Sequence, residues 1–368
     1  MSSPSGAVRA VLDKGVFCAV ATMTSHGPHC TPLVFASHAG RLWLSTSRQS
    51  LKARTWKRDP SIAGLVRHED LAVTFSGGVT IYDALDARTW AGAVTGAPAI
   101  ARASATFSRK NARFFAGYAV DANKVPLSWT LPGRVLVAVA PERTALLDDD
   151  GVRERHGRWG DEPASRNTFR RTKGDDPLGD LPDDVSAPLG TEGRGALTVL
   201  GDRGPVVLPV GWRVDGDALY AALPAETLAL AGAAEPAVPM ALTIDYASGW
   251  RAKDMLGAML QGHGAAFIDG VVGGGAASMC GLADAIAPGA TALVRISVRR
   301  SVWWKGWSSG ARRSVHHCHS VIRRNVGNHQ HYCPPRSDNA TQPTAWNLRG
   351  PNVIARRWAL SLCALRTL

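Results

Sequence analysis

The stretch from Ser45 to Lys52 concentrates side chains that could hold an anion. It contains four hydroxyl residues and, two positions after the last of them, a lysine; the hydroxyl residues are Ser45, Thr46, Ser47 and Ser50. Ser47 or Ser50 could cap a helix that begins here, which leaves free backbone N–H groups pointing at the hydroxyls. A helix N-terminus, several hydroxyls and Lys52 in the first turn favour a phosphate monoester. The alternative is a hairpin followed by a surface helix whose cations only face water.

A β-hairpin has to position these residues. Two β-rich runs, Cys30–Ser37 and Arg41–Ser47, are joined by a turn at 38–40, and a basic helix follows that ends before Pro60. Short strands are also predicted at Val16–Met23, Ser61–Arg67, Leu71–Tyr82 and Arg134–Leu147. Antiparallel strands with local turns favour a small barrel, which the last strand could close. Ala84–Gly117 is predicted to be mainly helical, with its aromatic residues packed in a core.

The ordered set of residues along this stretch resembles a known family. The set comprises Gly27, Pro28, Pro32, Leu33, Phe35, Gly40, Leu42, Trp43, Ser45, Thr46, Ser50, Lys52, Ala53, Arg54, Asp59 and Pro60. In this order it is similar to the pyridoxamine-phosphate-oxidase-like, flavin-binding split barrels. No single tripeptide in it is diagnostic, so the order of the whole set carries the resemblance.

The pattern of the first half returns later in the chain. The matching pairs, each 177 residues apart, are Gly27/Gly204, Pro28/Pro205, Pro32/Pro209, Phe35/Trp212 and Leu42/Leu219. Five matches at one offset indicate a tandem duplication. The predicted fold is mainly β with α (α+β), as two tandem split β-barrels that form a pseudo-dimer within one chain.

This interpretation divides the chain into four parts. We expect a first split barrel with the phosphate site over 1–147 and an acidic, polar linker over 148–192. A second, degenerate split barrel is expected over 193–310, and an atypical basic tail over 311–368. Asp148–Leu189 holds few apolar residues, and its composition predicts a linker or a partly ordered excursion that buries no core.

The second copy differs where the first could bind phosphate. In place of STSRQSLKAR it reads AALPAETLALAG, which keeps one hydroxyl, Thr227, and replaces the cations with an acid, Glu226, near the helix start. A carboxylate there repels a phosphate rather than holding it. We therefore expect the second copy to have kept its barrel and lost its phosphate site.

The resemblance implies a cofactor in the groove between the two barrels. Its ring would lie along the strand Thr31, Pro32, Leu33 and Val34, and its phosphate would lie on Thr46, Ser47, Ser50 and Lys52. Trp250 and Arg251, with Trp303 as a further candidate, would supply the facing wall from the second half. The alternative is that Trp250, Trp303, Trp304 and Trp307 only join the barrels.

The implied activity is an FMN- or deazaflavin-dependent oxidoreductase acting on an unknown small molecule. The alternatives are a non-catalytic flavin- or haem-binding carrier or sensor, and a barrel without a ligand. Haem is less favoured, since no axial histidine is evident in the first barrel. No Ser-His-Asp or Cys-His set stands out, which fits a flavin enzyme because the cofactor performs the redox chemistry. Catalytic residues therefore stay unassigned.

Charge and composition limit the possible partners. The net charge is +12, but residues 311–368, with nine Arg and one acid, contribute +8 of it, so the body implies no nucleic-acid binding. No apolar run of spanning length and no signal-peptide core appear, which predicts a cytoplasmic protein without membrane contact. Cysteine spacing predicts no metal site. We expect a monomer acting as a pseudo-dimer, or a homodimer.

The tail changes character at Ala311. Histidines and cysteines such as His316, Cys318 and Cys333 superficially resemble metal ligands, but their spacing matches no zinc module. The preferred interpretation is a non-native reading frame or disorder. A basic tail for acidic partners and a metal site remain as alternatives.

Overall fold

The computed structural model describes residues 5–121, 123, 125, 133–160, 176–232, 238–247, 251–268 and 276–313, with backbone only for 246–247 and 276–280. The described strands of the first half are β1 (Phe17–Thr24), β2 (Gly27–His38), β3 (Arg41–Ser47), β4 (Ser61–His68), β5 (Leu71–Tyr82), β6 (Arg134–Asp148) and β7 (Gly151–His156). Those of the second half are β8 (Glu192–Gly201), β9 (Gly204–Asp215), β10 (Ala218–Leu223), β11 (Val238–Ala247), β12 (Met255–Ile268), β13 (Ala292–Lys305) and β14 (Ser308–Arg313). The α-helices are α1 (Gly6–Lys14), α2 (Leu51–Trp56), α3 (Trp90–Thr95), α4 (Ala97–Lys110), α5 (Ala112–Val120), α6 (Asp183–Leu189), α7 (Ala225–Ala229) and α8 (Ala276–Ile286), and two short 3-10 helices span Ala87–Thr89 and Ala252–Asp254.

The first sheet closes into a barrel of six strands. Its order is β3-β2-β1-β4-β5-β6-β7, and β3 also pairs with β6. The alternate residues that point inward are apolar and fully buried, which is the pattern that a closed sheet requires. The largest of them are Phe35, Leu42, Leu44, Ile62 and Phe75. As predicted, the strand that begins at Arg134 closes the barrel.

The second sheet repeats the first strand for strand. Its order is β10-β9-β8-β11-β12-β13-β14, with β10 also paired to β13. The strands β2 and β9 are both twelve residues long and begin at glycines with positive φ, 98° at Gly27 and 96° at Gly204. Both halves are split barrels. The predicted fold class, mainly β with two tandem split-barrel units, is confirmed.

Even the irregularities of the two barrels correspond. A β-bulge shifts the β5–β6 register at Gly77, and another shifts the β12–β13 register at Gly262. A Cβ at either glycine would overlap a backbone carbonyl of the neighbouring strand, that of Ala140 or of Ser297. Both positions therefore require glycine for the same steric reason.

Reciprocal hydrogen bonds join the two barrels. In each barrel, the residue before the bulge donates a hydrogen bond to a proline near the start of the other barrel's twelve-residue strand. The Ser76 hydroxyl donates to the Pro205 carbonyl at 3.1 Å, and the Gln261 amide donates to the Pro28 carbonyl at 2.6 Å. Contacts exchanged between equivalent positions are the mark of a two-fold arrangement. Both barrels lie in one compact unit, Met1–Cys318.

The expectation that Asp148–Leu189 buries no core is wrong for its described residues. The segment begins with strand β7, and Trp159 is buried beyond it. Leu181, just before α6, and Val185, within α6, are also buried. Both belong to the apolar cluster that continues into the second barrel. Low average hydropathy concealed these few anchors because they are widely spaced. Residues 161–175 lie outside the described part.

The helices α3–α5 are an insertion between β5 and β6, as the helical prediction for Ala84–Gly117 required. Phe107 packs on Val34 and Ala36 of β2, so α4 covers the outer face of the hairpin. The buried Asn111 amide donates to the Phe35 carbonyl at 3.2 Å and secures the α4–α5 junction. Among the described residues, no helix is long and apolar enough to cross a membrane.

Candidate functional site

The hairpin β2–β3 opens at the end where the predicted site residues lie. The strands pair only from Phe35–His38 to Arg41–Leu44, and β3 then pairs with β6 as far as Ser47. The free edge of β2 faces the second barrel: the Cys30 N–H bonds to the Met259 sulfur at 3.0 Å and its carbonyl accepts the Thr243 hydroxyl at 3.0 Å.

Because backbone groups alternate along a strand, Pro32 and Val34 direct their polar groups to the same side as Cys30. Pro32 fits this orientation, because a residue whose polar groups point away from β1 needs no N–H for pairing with β1. The Val34 side chain packs beneath α4 instead, so only its backbone can meet a ligand. We call the space between this edge, α2 and the β13–β14 hairpin the first groove.

The hydroxyls at the start of α2 are ordered by one another. Ser50 is the N-cap, because its hydroxyl accepts the Ala53 N–H at 3.1 Å. The Thr46 hydroxyl in turn donates to Ser50 at 3.2 Å, whereas Ser47 accepts the Gln49 N–H within the turn. Of the two caps that the sequence allowed, the structure therefore uses Ser50.

Lys52 is the buried cation of this site, with 3% of its surface exposed. Its ammonium donates to the Thr31 hydroxyl and lies 3.4 Å from the Thr31 carbonyl. Burial lowers the pKa of Lys52 to about 8. Within the described ranges no carboxylate forms an ion pair with it, so the charge has only neutral acceptors. Lys57 differs, because it pairs with Asp83 at 3.3 Å and Asp86 at 3.0 Å.

Further cations reach the first groove from the second barrel. His29, two residues before Thr31, has a buried Nδ1 without a described partner. Burial, followed by the charges of Lys52 and Arg300, lowers the pKa of His29 to about 3. Arg300 of β13 donates to Gln261 at 3.1 Å and pairs in register with Arg313 of β14. A neutral histidine near Lys52 and Arg300, neither of which pairs with a carboxylate among the described residues, marks a region of positive potential.

Arg134 is a candidate site residue that the sequence did not indicate. Its guanidinium donates to the Ser45 hydroxyl at 2.8 Å and to the Ser45 carbonyl at 2.6 Å, at the end of β3. It also contacts Tyr118 of α5, whose ring lies 5.4 Å from that of Trp307 in the β13–β14 turn. Arg134 is the first residue of a predicted strand and follows Pro-Gly in the sequence. That position could have identified it as a cation at the end of a strand.

The predicted facing wall is described only in part. Trp250 lies outside the described residues. Arg251 lies at the end of α5, 3.8 Å from the Asp121 carboxylate, and 3.9 Å from Asp254. Trp303 and Trp304 pack against an apolar cluster that contains residues of both barrels. The ligand contacts of all these residues stay predictions.

The second barrel reverses the charge at the equivalent position. Lys52 and Glu226 are both the second residue of their helices, after the caps Ser50 and Pro224. The Glu226 carboxylate accepts the Val152 N–H of β7 at 2.6 Å, so α7 of one barrel is tied to the last strand of the other. We call the space between Leu208–Gly211, α7 and the β6–β7 hairpin the second groove.

Comparisons with known proteins were made for the whole chain. No protein-family model matches it, and no curated protein does. A pyridoxamine 5′-phosphate oxidase-related, FMN-binding protein from Nostoc punctiforme is 18% identical with a TM-score of 0.31, covering 42% of this chain and 88% of that one. An F420 reductase is 19% identical with a TM-score of 0.26, over 39% and 98%. A conserved hypothetical protein from Mycobacterium tuberculosis is 24% identical with a TM-score of 0.29, over 39% and 85%.

The first two of these solved structures are, by their names, of the kind that the sequence resembles. Each covers about the length of one barrel of this chain. At such TM-scores they carry no argument about the chemistry, which rests on the groove itself.

Proposed function

We propose that the first groove binds a flavin or deazaflavin through its phosphate and that the protein is an oxidoreductase for a small molecule. The observation that carries the proposal is Lys52, a buried ammonium held by neutral oxygens alone. A buried charge without a counter-charge is costly, and its position beside a hydroxyl-capped helix start fits an anion that the ligand brings. A phosphate would stabilise the charged state of Lys52.

The remaining donors also suit this ligand. The Ser50 and Thr46 hydroxyls lie beside the helix start, and Arg134 holds the end of β3. The two-fold relation adds one donor from the second barrel. Val152 and Ser309 occupy equivalent positions in the last strands of the two barrels, because Val152 pairs with Leu147 and Ser309 pairs with Trp304. Since the Val152 N–H meets the Glu226 carboxylate, we expect the Ser309 N–H to meet the ligand phosphate in the first groove.

The strand edge supplies the rest of the site. The backbone of Pro32 and Val34 offers hydrogen-bonding groups to the rim of a flat ring, and we expect the second barrel to shield its other side from water. The bound flavin would supply hydride transfer; the chain's part is to hold, orient and desolvate it. FMN and deazaflavin remain the two choices.

The test begins with protein purified from a flavin-producing host. We expect a flavin or deazaflavin absorption spectrum, and a phosphate-bearing ligand in the mass spectrum of the released small molecules. Lys52→Ala should lose most of this ligand, because a charge-assisted bond to phosphate is worth about 1.5–3 kcal/mol. Glu226→Gln in the second barrel is the matched control and should keep it.

Three results would contradict the proposal. Unchanged ligand retention in Lys52→Ala would remove the assigned site. A haem band near 400 nm would favour the carrier or sensor alternative, and a colourless protein that does not take up FMN on reconstitution would favour a barrel without a ligand.

A further inference from the structure

The second groove contains a cavity of about 390 Å³. It lies along Pro209, Val210 and Gly211, which correspond to Pro32, Leu33 and Val34 of the first groove. Its opposite wall is formed by the start of β5 in the first barrel, at Leu71 and Ala72. A volume of this size falls in the range of small-molecule sites. The second barrel has therefore kept the ring-sized half of the groove while the phosphate position has changed.

The charges around this cavity are mainly acidic. Three arginines line it, and each is engaged: Arg67 donates to the Gly195 carbonyl, Arg194 pairs with Asp149 at 3.4 Å, and Arg213 pairs with Glu192 at 2.8 Å. Three further carboxylates line the cavity: Asp148 pairs with Arg153, whereas Glu69 and Asp70 pair with no lysine or arginine among the described residues. Glu69 and Asp70 make the potential here negative, opposite to that of the first groove.

A buried hydroxyl at the start of α7 faces this cavity. Thr227 lines the cavity, is buried with 1% of its surface exposed, and its hydroxyl has no described partner. A hydroxyl can accept a hydrogen bond from a ligand donor. The neighbouring Glu226 carboxylate, which accepts the Val152 N–H, is not among the residues that line this cavity.

We propose that the second groove is a binding site for a small cationic, planar aromatic molecule. The ring lies between the Pro209–Gly211 edge and the β5 wall, and the cationic nitrogens meet Thr227 and the surrounding carboxylates. This site is independent of the proposed cofactor site, because it shares neither Lys52 nor the first-barrel hydroxyls. The chain then carries two grooves of one architecture, which select ligands of opposite charge.

Proflavine, a tricyclic cation, is a suitable probe because its fluorescence reports binding directly. We expect saturable binding of one proflavine per chain to the full-length protein in moderate salt. The double variant Glu69→Gln with Asp70→Asn should bind about fivefold more weakly, since exposed charges contribute only modestly. Asp13→Asn, on the exposed side of α1, is the matched control and should bind normally.

Lys52→Ala distinguishes the two grooves. We expect it to bind proflavine as the unaltered chain does, even where it has lost the flavin. Proflavine binding that is absent, that is indifferent to Glu69 and Asp70, or that disappears in Lys52→Ala would each overturn the proposal. The flavin assignment is tested separately, by the retention of the flavin in Lys52→Ala.

Discussion

The two barrels share strand order, bulges and reciprocal contacts, yet differ in charge at the second residue of one short helix. Lys52 in the first barrel is buried beside neutral acceptors, whereas Glu226 in the second has a backbone N–H from the opposite barrel. Glu226 therefore has a partner within the protein, whereas the charge of Lys52 has no opposite charge among the described residues. The comparison teaches that two barrels can share a fold and still differ in the residues that could bind a ligand. The charged group without an opposite charge in the protein is the one to test for function.

The largest expected effect comes from giving the first barrel the residue of the second. Lys52→Glu replaces attraction for a phosphate with repulsion in a buried place, so FMN affinity should fall by at least about a hundredfold. Riboflavin, which has the same ring without the phosphate, should lose much less. Fluorescence titration of both ligands measures this, with Lys52→Met as the intermediate variant. Equal losses for the two ligands would place Lys52 away from the phosphate.

The second prediction concerns the stability of the ligand-free protein. Burial lowers the pKa of Lys52 from 10.5 to about 8, so below pH 8 the folded state holds an ammonium that water would stabilise better. Lys52→Met should therefore raise the free energy of unfolding by about 2 kcal/mol at pH 7.

The sign of its pH dependence follows from the same shift. Between pH 8 and 10.5 the unfolded chain binds the extra proton, so the unaltered protein gains stability as pH rises and the advantage of the variant shrinks. Urea unfolding at pH 7 and pH 10 measures both values. A variant that is less stable at pH 7 would show that Lys52 is a structural residue.

The reciprocal bonds between the barrels should matter unequally. Gln261→Ala removes a buried amide that bonds both Pro28 and Arg300, which should cost about 2 kcal/mol, while Ser76→Ala removes one hydroxyl and should cost about 1 kcal/mol. Chemical unfolding measures the two losses. If the barrels unfold in separate transitions in either variant, the interface is weaker than these contacts imply.

The last prediction concerns the pH dependence of cofactor binding. As pH rises past about 8, free Lys52 loses its proton, and FMN affinity should fall roughly tenfold by pH 9.5. Lys52→Met should show a flat profile over this range. A flat profile in the unaltered protein would mean that another cation holds the phosphate.

The sequence predicted the architecture better than the partners of its residues. The five matches at one offset were enough for two split barrels, because strand spacing and turn residues are local properties. Strand β12 was missed, since its glycines at 257, 262 and 264 hide the apolar alternation. Each of these glycines lies where a side chain would overlap a neighbouring strand or residue.

The candidate site was predicted in part for a similar reason. The residues Thr46, Ser50 and Lys52 are adjacent in sequence, and their grouping needed no tertiary knowledge. Arg134 comes from a distant strand and contacts Ser45, and Arg300 comes from the other barrel and acts on His29, so only the fold brings them to this region. That the second groove keeps a cavity was also beyond the sequence, because two barrels form its walls.

The most direct test is the number of phosphate-bearing flavins that one chain binds at saturation. Equilibrium dialysis with FMN should give one per chain, and none in Lys52→Ala at the same concentration. A value of two would show that Glu226 does not exclude phosphate from the second groove, and one that persists without Lys52 would place the flavin elsewhere.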